Sequence, residues 1–107
     1  MQEANFKDAS LIAANLRKAT LLDADLENAN LESADLQNSF LKGAILKNTI
    51  LRNANLAGAN LEDAVGLDEN QLKQALLCQS TLPRYLGSMN KSLEKRDCEK
   101  LKNLSKR

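Results

Sequence analysis

The feature that most constrains this chain is a period of five. From Ala4 it divides without a gap into ANFKD, ASLIA, ANLRK, ATLLD, ADLEN, ANLES, ADLQN, SFLKG, AILKN, TILRN, ANLAG and ANLED. The third residue of each unit, its centre, is Phe6 and then leucine at every fifth place from Leu11 to Leu61. Two places before each centre stands alanine, replaced only by Ser39 and Thr49. Five residues on an α-helix advance about 140° beyond a full turn, which scatters the centres around the cylinder. A flat strand fails too, because residues five apart fall on opposite faces. Within one unit, however, alanine and centre are two apart and share a face. A short extended piece buries both if the chain turns a corner before the next unit. Repeated corners of one hand make a solenoid, with one small and one large side chain directed inward per side and successive coils about 4.8 Å apart.

The charges do not fix the number of sides. With four, residues twenty apart stack, and Lys7, Glu27 and Lys47 form one column, with Glu32 under Arg52 and Lys42 under Glu62. With three, residues fifteen apart stack, and Arg17, Glu32, Lys47 and Glu62 alternate equally well, with Asp8 against Asp23 as the mismatch. Composition agrees with a narrow aliphatic interior: the aromatics are Phe6, Phe40 and Tyr85, with no tryptophan, so large rings do not build the core. The 107 residues suit one fold unit plus a tail.

The run of A(D/N)Lxx units from Ala4 to Ala64 resembles the pentapeptide repeat family, and small cyanobacterial members in particular. The resemblance implies an all-β solenoid, a right-handed quadrilateral β-helix of about three coils, with alanine and centre inward and the other three positions outward. The inward columns are then Phe6, Leu26 and Leu46; Leu11, Leu31 and Leu51; Leu16, Leu36 and Leu56; and Leu21, Leu41 and Leu61. Alanine facing alanine across so narrow a shaft makes a change such as Ala34→Leu severe. Asn, Asp, Ser and Thr just before the centres suit a chain made largely of turns, where they hydrogen-bond nearby backbone.

We divide the chain into residues 1–65, the β-helix, and 66–107, a C-terminal α-helical cap with a basic tail. Asp68 reads as an N-cap, Gln71 completes a capping box, and Leu67 with Leu72 forms a hydrophobic staple. Leu72, Ala75 and Leu76 read as one apolar stripe of a helix that lies over the last coil and stops near Pro83. Residues 89–104 read as a second, weakly amphipathic helix bearing Met89, Leu93, Leu101 and Leu104. Residues 1–65 carry nine acids and six bases, and 66–107 five acids and nine bases, so the body is mildly acidic. The tail bases are interleaved with acids, as on a solvated helix. The amino end has no capping device, which leaves the coil of Phe6, Leu11, Leu16 and Leu21 as an open edge; either a head-to-head homodimer forms through it, or Phe6 plugs the end and water satisfies the edge. No membrane-length apolar run or export signal is read, so the expected compartment is the cytoplasm, with Cys78 and Cys98 as free thiols.

Phe40, Ile45 and Ile50 occupy three successive slots that are polar elsewhere. They point outward on three consecutive sides, with Leu22 one coil below and near Phe40. They are candidates for contact with an unknown protein partner, for docking of the second tail helix, or for simple tolerance of apolar residues on a strand. Chemistry is poorly represented: there is no histidine, no paired-cysteine metal spacing and no glycine-rich phosphate loop. Asp23 and Asp63 share a column as solvated groups. We therefore expect no enzyme activity, no cofactor, no metal and no direct nucleic-acid or membrane binding, and a structural or protein-interaction scaffold instead. The alternative carried by the resemblance is a DNA mimic that modulates a DNA-binding protein such as gyrase. That role needs a continuous negative track, which a body with nine acids against six bases and three short coils supplies poorly.

Overall fold

The computed structural model of the protein describes residues 4–83. Its backbone is organised by isolated parallel bridges between residues twenty apart: Asn5 with Asp25, Ser10 with Asn30, Asn15 with Asp35 and Thr20 with Phe40, continuing to Ile45 with Val65. Twenty residues are four pentads. Each coil therefore has four sides, and the three-sided stacking is excluded. Coil 1 is residues 4–23, coil 2 is 24–43, coil 3 is 44–63, and coil 4 begins at 64.

One hydrogen-bonding rule repeats up the solenoid. The residue just before a centre turns both backbone groups toward the coil below: Asp25 donates its N–H to the Ala4 carbonyl at 2.9 Å and accepts from the Phe6 N–H at 2.7 Å. Ile45 does the same with Ala24 and Leu26 at 2.9 Å each. At each corner the chain makes a tight turn, as in Ala9 N–H to Phe6 carbonyl at 2.9 Å. The second residue after every centre from Phe6 to Leu61 has positive φ, for example 63° at Asp8, 61° at Asn28 and 74° at Gly43. A turn of type II requires that conformation at its third position, and Asn, Asp and Gly tolerate it best.

The inward columns are those the period dictates. Leu26, Leu31 and Leu36 are fully buried, as are Leu46, Leu51 and Leu56 above them, and the alanines between are equally inaccessible. Ser39 and Thr49 are buried in alanine slots. Thr49 Oγ1 donates to the Leu26 carbonyl at 2.7 Å, whereas Ser39 Oγ has no partner among the described residues. In coil 1, Phe6, Leu11, Leu16 and Ala19 are only partly buried against this core.

The chain beyond 65 departs from the expected helical cap. Helix α1 runs Glu69–Gln74, with Asp68 as N-cap and the full capping box; Leu67 and Leu72 are both buried. It ends before Ala75, which is extended at φ −103° and ψ 161°, and the ladder then resumes: Leu76 bridges Asn55 and Thr81 bridges Asn60. The step is now 21 because the segment containing α1 holds one extra residue. Leu76 is thus an outward-slot residue, not part of a helical stripe, and Leu77 is the buried centre. The physical reason is the sequence ALLCQ, residues 75–79, which restores alanine and leucine two apart. Ladder bonds from the Leu76 N–H to Ala54 and from the Leu56 N–H to the Leu76 carbonyl, at 2.9 and 2.8 Å, then win over continued helix. Coil geometry extends to Thr81, past the division read at 65. Cys78 is disulfide-bonded, which corrects the expectation of free thiols: compartment alone was weighed for it, and pairing also depends on which side chains the fold brings together. Cys98, the second helix with Met89, Leu93, Leu101 and Leu104, and the basic tail lie outside the described residues.

Candidate interaction surface

Three residues of each pentad form the outer wall, and their roles differ. Asn or Asp before a centre pins its own corner: the side-chain Oδ1 of Asn5, Asn15, Asp25, Asn30, Asp35, Asn55 and Asn60 each accepts the N–H two residues on, at 3.0–3.2 Å. These acids and amides are therefore turn devices. The first residue after the centre carries charge across coils. Lys7 reaches Glu27 at 3.3 Å and Arg52 reaches Glu32 at 3.8 Å, both as the twenty-residue columns require. Glu27, by hydrogen bond and then by charge, raises the Lys7 pKa above its usual value, with Asp8 and Asp25 adding to the effect. Arg17 pairs diagonally with Asp35 at 3.8 Å, and Lys42 makes no ion pair with Glu62 among the described residues.

The interrupted stretch places its apolar side chains where the period says, on three consecutive sides. Phe40 is 48% exposed and Ile50 42%, while Ile45 and Leu22 are half-buried. Phe40 and Ile45 flank the corner at Lys42 and Gly43; Ile50 looks away from them. Val65 is 55% exposed and stacks directly on Ile45, so the corner carries Phe40 on one side and the Ile45–Val65 pair on the other. Sequence reasoning missed Val65 because its unit has Gly66 where a leucine centre is due. The signal was Ala64, still two places before that position. Ile12, 53% exposed, was also missed; it occupies the slot after a centre, where charge is usual.

Each apolar residue in this slot forgoes a corner pin. Among the described residues no side chain accepts the N–H of Lys42, Lys47 or Arg52 as Asn or Asp does at the pinned corners. Asp23 and Asp63 lie in one corner column, both exposed, with Gly43 between them in coil 2. Among the described residues no group of three or more His, Cys, Asp or Glu is placed to hold a metal ion.

The profile of pentapeptide repeats matches residues 4–43 and 29–65, in eight copies. The chain belongs to the pentapeptide repeat family. Among solved structures, HetL, a pentapeptide repeat protein involved in heterocyst differentiation regulation from the cyanobacterium Nostoc sp. strain PCC 7120, is 36% identical with a TM-score of 0.59. That likeness covers 76% of this chain but 35% of HetL, so this chain spans about a third of that relative. A pentapeptide repeat protein of the Arabidopsis thaliana thylakoid lumen is similar in fold at 24% identity and a TM-score of 0.52, over 74% of this chain and 61% of the other. Comparison with curated proteins gives no match. This pentapeptide repeat chain thus shares its fold with both neighbours.

Proposed function

We propose that this pentapeptide repeat chain is a non-catalytic scaffold that presents its outer wall to a protein partner, with the corner of Phe40, Ile45 and Val65 as the contact surface. The observation that carries this reading is that two large apolar side chains, Phe40 and Val65, stay about half exposed around one corner, in a slot that elsewhere on the wall holds seven Asn or Asp side chains pinning their own turns. Apolar replacement there gives up a local hydrogen bond of about 1 kcal/mol, which simple tolerance leaves uncompensated. HetL, the cyanobacterial neighbour, is described as involved in regulation, and a regulatory role is consistent with a rigid lattice of outward side chains. DNA mimicry is disfavoured because Lys7, Arg17 and Arg52 interrupt the acids by pairing with them. The Cys78 disulfide favours an oxidising compartment over the cytosol.

The test is a double variant, Phe40→Asn with Ile45→Asn. Its unfolding midpoint is expected to be unchanged or slightly raised, since asparagine restores two corner pins, while co-purification of the partner from native cells is lost. Capture that survives the substitution removes this surface from consideration.

A further inference from the structure

The apolar corner also has a definite charge. Phe40 stands on one wall, Ile45 and Val65 on the next, and the column between them carries Leu22–Asp23, Lys42–Gly43 and Glu62–Asp63. Asp25 lies directly below Ile45. The corner and the Ile45 wall thus hold Asp23, Asp25, Glu62 and Asp63 against Lys42. The rest of residues 4–65 hold Asp8, Glu27, Glu32 and Asp35 against Lys7, Arg17, Lys18, Lys47 and Arg52. The acid excess of the body is therefore gathered where Phe40 and Val65 are exposed. Resting on the reading of this corner as a contact surface, we propose that its partner meets it with a cationic amphipathic segment, one whose apolar side chains are flanked by Lys or Arg.

Pairing within the coils does not consume these acids. The three ion pairs of the described residues use Glu27, Asp35 and Glu32, and Asp23, Asp25, Glu62 and Asp63 take part in none of them. Gly43 sharpens the arrangement. With no side chain there, the Asp23 carboxylate extends into the space that a Cβ would fill, Oδ1 foremost, and Asp63 stands in the same column one coil above Gly43. The two aspartates start from backbone about 10 Å apart, two strand spacings. A partner's Lys or Arg seated over Gly43 meets a carboxylate on either side, while its apolar neighbours reach Phe40 on one wall and the Ile45–Val65 pair on the other. The methylene stems of Lys and Arg cover apolar surface as well.

Charge also decides against other occupants. Nucleic acid and an anionic lipid surface both bring negative charge against these carboxylates. A second copy supplies cations poorly: Lys7, Arg17 and Arg52 are held by acids of their own chain, and Lys18, Lys42 and Lys47 lie on three different corners. A segment with its own bases beside its apolar residues is complementary to the corner in both respects.

The chain has no tryptophan, so Phe40→Trp in the full chain places a single fluorophore on the corner. The probe is a dodecapeptide of alternating Leu and Lys, compared with its Leu–Glu and Ser–Lys counterparts. The Leu–Lys peptide should blue-shift the tryptophan emission and shield it from acrylamide, and the other two should bind at least about tenfold more weakly. Asp23→Asn with Asp63→Asn, which suits the positive-φ turns, should weaken Leu–Lys binding at least about threefold. Asp35→Asn, on the wall opposite Ile45, should leave it unchanged. No Leu–Lys binding up to about 1 mM, equal binding of the Leu–Glu peptide, or indifference to the Asp23 and Asp63 changes overturns the proposal. So does a tryptophan already shielded in the free chain, whether at every concentration by the stretch 84–107 or only at high concentration by a second copy. Capture of the native partner that survives the Asp23 and Asp63 changes but not Phe40→Asn with Ile45→Asn leaves the contact surface standing and removes its cationic occupant.

Discussion

Ser39 and Thr49 occupy equivalent slots in a shaft otherwise lined by alanine, yet they carry opposite energetic signs. Thr49 Oγ1 donates a hydrogen bond to the Leu26 carbonyl at 2.7 Å, whereas Ser39 Oγ is buried without a partner among the described residues, and a buried hydroxyl left unpaired costs about 1–3 kcal/mol. Ser39→Ala is therefore expected to stabilise the fold by about 1 kcal/mol and Thr49→Ala to destabilise it by about 1–2 kcal/mol in chemical denaturation; equal signs for the two would contradict the asymmetry. Glycines divide in the same way. A Cβ at Gly66, where φ is 85°, would lie 2.8 Å from the backbone N and Cα of Lys47, and neither atom can yield without shifting the coil below. At Gly43 the nearest obstacle is the Oδ1 of Asp23, the end of a side chain that can rotate away, and other positions of that turn class hold Lys, Ala and Asn at similar φ. Gly66→Ala should cost about 3 kcal/mol or more and Gly43→Ala about 1 kcal/mol, read from the denaturation midpoints of the two variants.

Helix α1 shows how an element only six residues long is held in place. The Gln71 side chain accepts the Asp68 N–H at 2.9 Å and donates to the carbonyls of Leu46 and Thr49 at 2.7 and 2.9 Å. One amide thus completes the capping box and satisfies two coil 3 carbonyls that no coil 4 strand reaches. Gln71→Leu keeps the side-chain bulk and removes all three bonds, so a loss of about 2–3 kcal/mol is expected. Amide exchange should quicken across Gln71 and Leu72 before it does at Leu31 and Leu36; uniform quickening would mean that α1 is not an independently held unit. The box was legible in the sequence because Asp68 and Gln71 stand three apart behind Leu67. The end of α1 was not, since Leu72, Ala75 and Leu76 fit a helical stripe as well as Ala75 and Leu77 fit a pentad. Periodicity in so short a segment cannot separate the two, and long-range ladder bonds to Ala54 and Leu56 decided it. The same distinction governs the candidate surface. The outward direction of Phe40, Ile45 and Ile50 followed from the period alone, but the stacking of Val65 on Ile45 depended on a coil 4 whose leucine centre was replaced by glycine.

At the scale of the whole molecule the solenoid is a stack in which each coil touches only its neighbours, so stability is a sum of coil and interface contributions that need not be uniform along the axis. Coil 2 is sandwiched: Asn30 and Asp35 donate downward to Ala9 and Ala14, and Leu31 and Leu36 donate upward to Ile50 and Asn55, all at 2.8–2.9 Å. Among the described residues coil 1 has a neighbour on one side only, and its Phe6, Leu11 and Leu16 centres are incompletely covered. Fraying should therefore begin at coil 1. Hydrogen exchange is expected to give fast amides at Ser10, Asn15 and Thr20, which have no backbone acceptor among the described residues. Intermediate rates are expected at Phe6, Leu11 and Leu16, whose bonds to coil 2 break by local opening, and protection near the global limit at Leu31 and Leu36. The ion pairs between coils change this gradient little, because all three lie at exposed or half-exposed positions where such pairs contribute about 0–1 kcal/mol. Raising the salt concentration should accordingly leave the order of exchange intact. Protection at Ser10 that is already high in dilute solution would instead mean that coil 1 is covered within the single chain, and the fraying order would then be wrong.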